Sequence, residues 1–351
     1  MEIIQEVKYD ETMKTTVEPY LKQRCISGYT DSYDAVGKLH VLRYQADMPK
    51  GVIVICHGFT ESYPKYDELV YYFLQAGYHV WLPEHCGHGW SYRLTKDSSL
   101  VHIDTWKRYV RDFLKICQMA KKEYPNLPLN LFAHSMGGAI GAIAVSWKPE
   151  WFQHVILNSP MIRPHTANVP WGISASVSTL QCLIGKAEHY VLGQKPYEAS
   201  ETFETSASTS KPRFTRFNER RKVTKEMQTC AASYSWLSNA AKMNTYLMRH
   251  AWKKYTAPML IIQAEQDDYV WTSQIQKFAD KIKKHEVSVL DGVKDVFSKI
   301  EEKDNRIHAY LDTYKKEAYA RAKEVEKGIE DGTYTGPLAG VPIAIKDNIC
   351  V

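Results

Sequence analysis

Nowhere in the 351 residues is there an apolar run of about twenty, the length a membrane-spanning helix needs. The start, Met1-Glu2-Ile3-Ile4-Gln5-Glu6, has neither the basic stretch nor the apolar core of a secretory leader. Cysteine supplies no framework: the seven, at 25, 56, 86, 117, 182, 230 and 350, are odd in number, scattered and without metal-ligand spacing. They read as free thiols in a reducing compartment, so a cytoplasmic, soluble protein is the expectation. No block of like charge is present either. The net charge of +5 is thinly spread, which favours solubility and argues against a nucleic-acid partner. Against these absences stand 44% apolar residues, nine Trp and twenty-three Tyr, enough for a large core and for apolar pockets or a membrane-facing surface.

The most informative stretch is Leu129-Asn130-Leu131-Phe132-Ala133-His134-Ser135-Met136-Gly137-Gly138. An apolar run that suits a buried strand stops at a serine, and small residues open a helix beyond it. This is the pattern of a nucleophile elbow, where a strained strand-to-helix turn lifts the serine hydroxyl clear of the sheet. Bulk two positions to either side would collide there. Ala133 and Gly137 meet that demand, although glycine is usual in the first place. A helix N-terminus capped by Ser135 is the plain alternative.

The rest of the chain supplies a setting for that serine. Residues 37–44 alternate like a half-buried strand, and Gly51–Cys56 is continuously apolar, as a central strand covered on both faces would be. An amphipathic helix is expected at 65–75, a strand at 78–83, a long helix at 103–124 and a strand at 154–160. This alternation predicts an α/β architecture with a mostly parallel, doubly wound sheet, and chemistry at the C-terminal ends of its strands. In an acyl-transferring enzyme of this build, one oxyanion amide follows the nucleophile and the other lies on the loop after strand 51–56. Met136 and Phe59 occupy those places. His85 and His88, in the Gly-rich loop 84–91, lack a carboxylate cluster and read as structural; no metal or organic cofactor is implied.

From 161 to 252 the alternation stops, as it would for a cap inserted over the site. Within it, Arg213, Arg216, Arg220 and Arg221 leave two readings open, a solvated face or a face for anionic lipid headgroups. The sheet resumes at Pro258 and empties into Glu265-Gln266-Asp267-Asp268. A hydrolase with chain order Ser, Asp, His places its acid there; Asp267 is the first choice, then Asp268 and Glu265. A helix at 274–284 and a last strand at 286–290, ending near 291–294, complete the expected sheet.

Taken together, His57-Gly58-Phe59-Thr60-Glu61-Ser62, the loop 84–91, Ala133 to Gly138 and Gln263-Ala264-Glu265-Gln266-Asp267 resemble the lysophospholipase and monoacylglycerol lipase branch of the α/β-hydrolases. The resemblance spans residues 1–294, and 205–216 with Tyr234-Ser235-Trp236-Leu237 are similar to the cap of bacterial lysophospholipases of the L2 type. It implies an α/β-hydrolase fold with a helical cap at 161–252 and hydrolysis of carboxylic esters of lysophospholipids or monoacylglycerols. Ser135 would be nucleophile and Asp267 acid, with a lipid or small ester as substrate and peripheral contact with a membrane.

The same resemblance requires a histidine just after Leu290-Asp291-Gly292-Val293-Lys294, where this chain has Asp295. A near-neutral group must take the serine proton and return it to the leaving group, which a carboxylate does poorly. The chain beyond that position is unlike a hydrolase ending. Residues 295–327 form a charged, helical stretch, and Gly336-Pro337-Leu338-Ala339-Gly340-Val341-Pro342-Ile343-Ala344-Ile345-Lys346-Asp347-Asn348 resembles the N-terminal part of amidase-signature enzymes, in particular the glutamyl-tRNA amidotransferase. That family works through a serine, serine, lysine triad, and Lys346 matches its lysine alone. The expectation is a junction near Lys294 joining a hydrolase domain, 1–294, to a truncated amidase-like fragment, 295–351, with hydrolysis impaired. His308, in the appended helix, is the histidine that could substitute as base; His285 lies at the wrong end of the last strand. The rivals are a non-catalytic chain that keeps the hydrolase fold, and an amidase component for which Lys346 by itself is inadequate.

Overall fold

Gly51–Cys56 is buried along its whole length, and it forms the middle of the sheet because apolar side chains on both faces need cover from both sides. The computed structural model describes residues 3–167, 169–206, 208–286, 289–307 and 313–334. Within it this segment is β3, paired in parallel with β4 (Tyr78–Pro83) and β6 (Leu129–His134). The remaining strands are β1 (Cys25–Asp31), β2 (Lys38–Tyr44), β7 (His154–Asn158) and β9 (Met259–Ile262), in the order β1-β2-β4-β3-β6-β7-β9. β2 runs antiparallel to both its neighbours and the other pairs are parallel. Two short strands, β5 (Leu100–Val101) and β8 (Ala231–Ala232), pair separately.

The chain divides into two compact units, Met1–Ala279 and Asp280–Val351. In the first, parallel strands are joined by helices that cover the faces: α3 (Asp67–Gln75), α4 (Trp106–Glu123) and α5 (Met136–Trp147). An N-terminal helical run, α1 (Tyr9–Thr12) and α2 (Glu18–Arg24) around a π-turn, inserts Tyr9, Met13, Val17 and Leu21. These meet Leu42, Ile53, Ile55, Val70 and Leu74 in one core cluster.

Residues 161–252 contribute α6 (Trp171–Leu183), α7 (Lys211–Val223) and α8 (Tyr234–Arg249). Helix α7 buries only Asn218, so it is held by charge. Arg213 reaches Glu68 at 2.7 Å, Arg216 reaches Asp10 and Glu18 at 2.5 and 2.6 Å, Arg220 reaches Asp67 at 3.2 Å and Arg221 reaches Glu201 at 2.9 Å. The two readings left open for these arginines are thereby corrected: each is committed to a carboxylate within the fold.

The last strand is a second correction. Val289 and Leu290 begin a helix, α10 (Val289–Ile307), preceded by α9 (Thr272–Glu286), while 287 and 288 lie outside the described residues. The reason lies downstream. Val289, Val293, Phe297 and Ile300 recur at helical spacing, Lys299 bonds Asp295 at 2.5 Å one turn away, and the apolar stripe packs on α11 (Lys315–Glu330) with Ala322 and Tyr319. A five-residue segment with three apolar positions is ambiguous between strand and helix, and tertiary context decides it. Consequently β9 closes the sheet order. Along the lateral row Ile55, Phe132, Ile156, Leu260, cover fades: Ile55 is 0% exposed and Leu260 56%, with Ile262 next to it at 43%. Among the described residues no helix is long and apolar enough to cross a membrane.

Candidate active site

Ser135 sits between β6 and α5 with φ 51° and ψ −118°, a left-handed conformation that a non-glycine residue adopts only when its surroundings impose it. The constraint is visible. Its amide donates to the Asn158 carbonyl at 3.0 Å, and its carbonyl accepts from Gly138 at 2.8 Å and Met161 at 2.8 Å. The small residues around it are explained by close approach. A Cβ on Gly137 would lie 2.0 Å from the Cys56 carbonyl oxygen, and one on Gly138 2.6 Å from Pro160. Ala133 is accommodated because Gly141 stands opposite; a Cβ there would come within 3.0 Å of the Ala133 methyl. Gly137→Ala is therefore expected to destabilise the fold by about 3 kcal/mol, since a backbone carbonyl must move. A thermal melt of the variant beside the parent checks this.

The loop after β3 touches the serine. The Cβ position of Gly58 lies 3.2 Å from Ser135 Cβ and 2.8 Å from Glu61 Oε2, so only glycine fits. Phe59 packs against Trp236 of α8 with ring centroids 4.3 Å apart and planes tilted by 42°, and Met136 is fully buried at the head of α5. Phe59 thus follows the glycine that packs on Ser135, and Met136 follows Ser135 itself at the start of α5.

Glu61, to which sequence reasoning gave no role, organises this loop. Its Oε2 accepts from the Gly58 amide at 2.6 Å and the Tyr66 hydroxyl at 2.5 Å, while Oε1 pairs with Lys65 and lies 3.5 Å from His134 Nε2. Burial pushes its pKa up, but Lys65, His134 and the hydrogen bonds outweigh that and hold it well below the usual carboxylate range. The one sequence signal was an acid four residues before Lys65 beside a His-Gly turn.

Loop 84–91 is built on Glu84, whose carboxylate accepts from the amides of Tyr63 and Trp90, each at 2.9 Å, and contacts His40 Nδ1 at 2.8 Å. It abuts the β3 loop through His57, whose Nε2 accepts from the His85 amide at 2.9 Å. The ring proton is thereby assigned to Nδ1, which donates to the Gly58 carbonyl at 2.8 Å. Burial pushes His57 down and His85 and His88 further, so all three are neutral near pH 7. Among the described residues no group of three His, Cys, Asp or Glu side chains is placed to hold a metal ion.

Asp267 follows β9. Its Oδ1 accepts from the amides of Tyr269 and Val270, both at 2.9 Å, whereas Asp268 and Glu265 are exposed. The next residues form a short ladder with residues 163–165: Trp271 donates to the Arg163 carbonyl at 3.0 Å, and the His165 amide donates to the Tyr269 carbonyl at 2.8 Å. Met161, whose amide is bonded to Ser135, also lines a crevice too narrow to admit water, together with Ile103, Tyr109, Trp236 and Met243. The arrangement brings together Ser135, the loop of Phe59 and the head of α5. Asp295 is not a loop residue but an exposed position within α10. His308 and Lys346 lie outside the described residues.

Comparison with known proteins places this geometry. Residues 47–294 match the Hydrolase_4 family, described as serine aminopeptidase S33, and residues 291–351 match the amidase family. The chain is 33% identical to rat (Rattus norvegicus) monoglyceride lipase over 144 residues, 41% of this chain and 43% of that protein. It is 25% identical to a probable lysophospholipase L2 of Haemophilus influenzae over 244 residues, 68% of this chain and 74% of that protein. The chain thus spans under half the length of the monoglyceride lipases it matches. Among solved structures, a soluble variant of monoglyceride lipase from Saccharomyces cerevisiae superposes with a TM-score of 0.57 at 13% identity, covering 74% of this chain and 82% of that one. A carboxyl esterase from Bacillus coagulans does so with a TM-score of 0.58 at 15% identity, covering 75% and 87%. The chain belongs to the Hydrolase_4 family of α/β-hydrolases, within its monoglyceride lipase and lysophospholipase group, and carries a C-terminal amidase fragment.

Proposed function

We propose that this chain hydrolyses the carboxylic ester of single-chain glycerolipids, monoacylglycerols or lysophospholipids, at a rate reduced by the change at position 295. The observation that carries the reading is the strained Ser135 turn, against which the β3 loop packs so closely that a Cβ on Gly58 would lie 3.2 Å from Ser135 Cβ. Ser135 Oγ attacks the ester carbonyl, and the amides of Phe59 and Met136 receive the developing oxyanion. Asp267, held by two amides, orients an imidazole between itself and Ser135. The hydrolase part is assigned to 1–294, with 161–252 as cap, and the amidase-like fragment to 295–351. The abutting family matches at 291–294 support that junction, although the compact units divide at 279/280.

The cap suits a lipid substrate. Ile173, Val177, Leu180 and Ile184 follow helical spacing and are 55%, 42%, 56% and 56% exposed, an apolar stripe suited to a membrane or micelle surface. Fatty-acid release from monoacylglycerol and from lysophosphatidylcholine micelles tests the reading. Release by the parent and its loss in Ser135→Ala are expected. Equal release by both proteins would favour the rival reading, a fold kept without catalysis, which the helical setting of Asp295 supports.

A further inference from the structure

We infer that His165 is the base that serves Ser135 in this chain. The inference rests on the hydrolase reading and names the group that the reading leaves open. Asp295 is built into a helix, so an imidazole must come from elsewhere if the serine is to turn over. Most described histidines are committed or remote. His57, His85 and His88 are buried and neutral in the packing between two loops. His134 contacts Asn158 and Glu61, His40 contacts Glu84, His79 accepts from the Ala46 amide and His102 meets Ser233. His154 opens β7 at the end of the sheet away from Ser135. His189 bonds Tyr234 through its carbonyl, and His250 ends α8.

His165 differs in position. It ends a strap, residues 161–165, that begins where the Met161 amide is bonded to the Ser135 carbonyl at 2.8 Å. The strap finishes on the acid loop, with the His165 amide on the Tyr269 carbonyl at 2.8 Å and Pro164 bridged to Val270. The amides of Tyr269 and Val270 are the two that hold the Asp267 carboxylate. One short ladder therefore links the serine, the imidazole-bearing residue and the acid. The ring is half-buried and stacks on Trp271 with centroids 4.1 Å apart and planes 17° from parallel. To work, it leaves Trp271 and turns toward Ser135, a rearrangement of the kind by which loosely arranged sites tighten around substrate.

The proton then has a complete path. As Ser135 Oγ bonds to the ester carbon, its proton passes to the His165 imidazole and the carbonyl π pair moves onto oxygen. When the tetrahedral adduct collapses, the C–O bond to the alcohol breaks and His165 returns the proton to the departing oxygen. A water then repeats the sequence on the acyl-Ser135 ester, so ester and water become acid and alcohol with nothing left over.

Initial rates on p-nitrophenyl butyrate test this with the full chain, Ser135→Ala, His165→Ala and His165→Phe. Phenylalanine preserves a ring on Trp271 and cannot carry a proton. Both His165 variants are expected to lose about 10²-fold in kcat, and added imidazole is expected to restore rate to His165→Ala above its effect on Ser135→Ala. Parent-like turnover in His165→Phe, or loss without imidazole rescue, would overturn the assignment while leaving Ser135-dependent hydrolysis standing. Equal rates for parent and Ser135→Ala would overturn both.

Discussion

Replacing residues 287–351 with the last strand and histidine-bearing loop of a monoglyceride lipase raises kcat on p-nitrophenyl butyrate by up to about 10². A well-placed general base is worth about 10²–10⁴ in all, of which an imidazole reached only by rearrangement already supplies about 10². The scaffold is ready for the graft. Ser135 and Asp267 already stand at the C-terminal ends of β6 and β9, and β9 ends the sheet with Leu260 56% and Ile262 43% exposed. A strand added there completes the ladder and shortens an edge that otherwise invites unwanted pairing. The matching graft with alanine in place of its histidine separates repaired packing from repaired chemistry. It should melt like the active graft and turn over like the parent. Equal gains from both grafts would mean that stability, rather than the base, limits this chain.

Glu61→Ala is expected to cost about 2–4 kcal/mol of stability and about 10² in kcat, with less change in KM. Removing the carboxylate takes the acceptor from the Tyr66 hydroxyl, bonded to it at 2.5 Å, and leaves the Gly58 amide, bonded to it at 2.6 Å, with only its longer bond to the Tyr66 oxygen at 3.3 Å. The lower end applies if Lys65, whose side chain is 48% exposed, turns to water. The rate falls because Gly58 is the residue before Phe59, and a loosened turn misaims the Phe59 amide. Glu61 acts here as a positioning residue, so Glu61→Gln, which still accepts one hydrogen bond, should recover most of the kcat. The pH dependence has a definite sign. Its folded pKa is depressed, so the unfolded chain binds the proton first. The contribution is complete above the unfolded value, about 4.3, and fades as the pH falls below it toward the lower folded value. Urea midpoints at pH 7, 5 and 3.5 for parent and Glu61→Gln should converge on acidification; a constant gap would exclude a depressed Glu61.

The elbow and its neighbouring strands were legible because β3 is a continuous apolar run and β4 and β6 are mostly apolar, all with sharp ends that local pattern identifies. The expectations for Met136 and Phe59 came from position relative to those runs. The last strand was misread for the opposite reason: Val289 and Leu290 satisfy either period, and the helical partner that decides between them lies at Ala322 and Tyr319. The arginines of α7 were undecidable from pattern, since their carboxylates come from distant segments: Arg216 pairs with Asp10, and Arg213 with Glu68. Glu61 and His165 were overlooked on similar grounds. A carboxylate becomes a site organiser only when folding buries it, and His165 gains meaning only through its ladder to Tyr269.

The central claim, that Ser135 is an acylated nucleophile, is tested most directly by mass-spectrometric mapping after brief exposure to p-nitrophenyl butyrate. With deacylation slowed, a butyryl group should accumulate on the peptide containing Ser135 and be absent from Ser135→Ala. Butyrylation unchanged by that substitution, or none in the parent while p-nitrophenol is released, would contradict it.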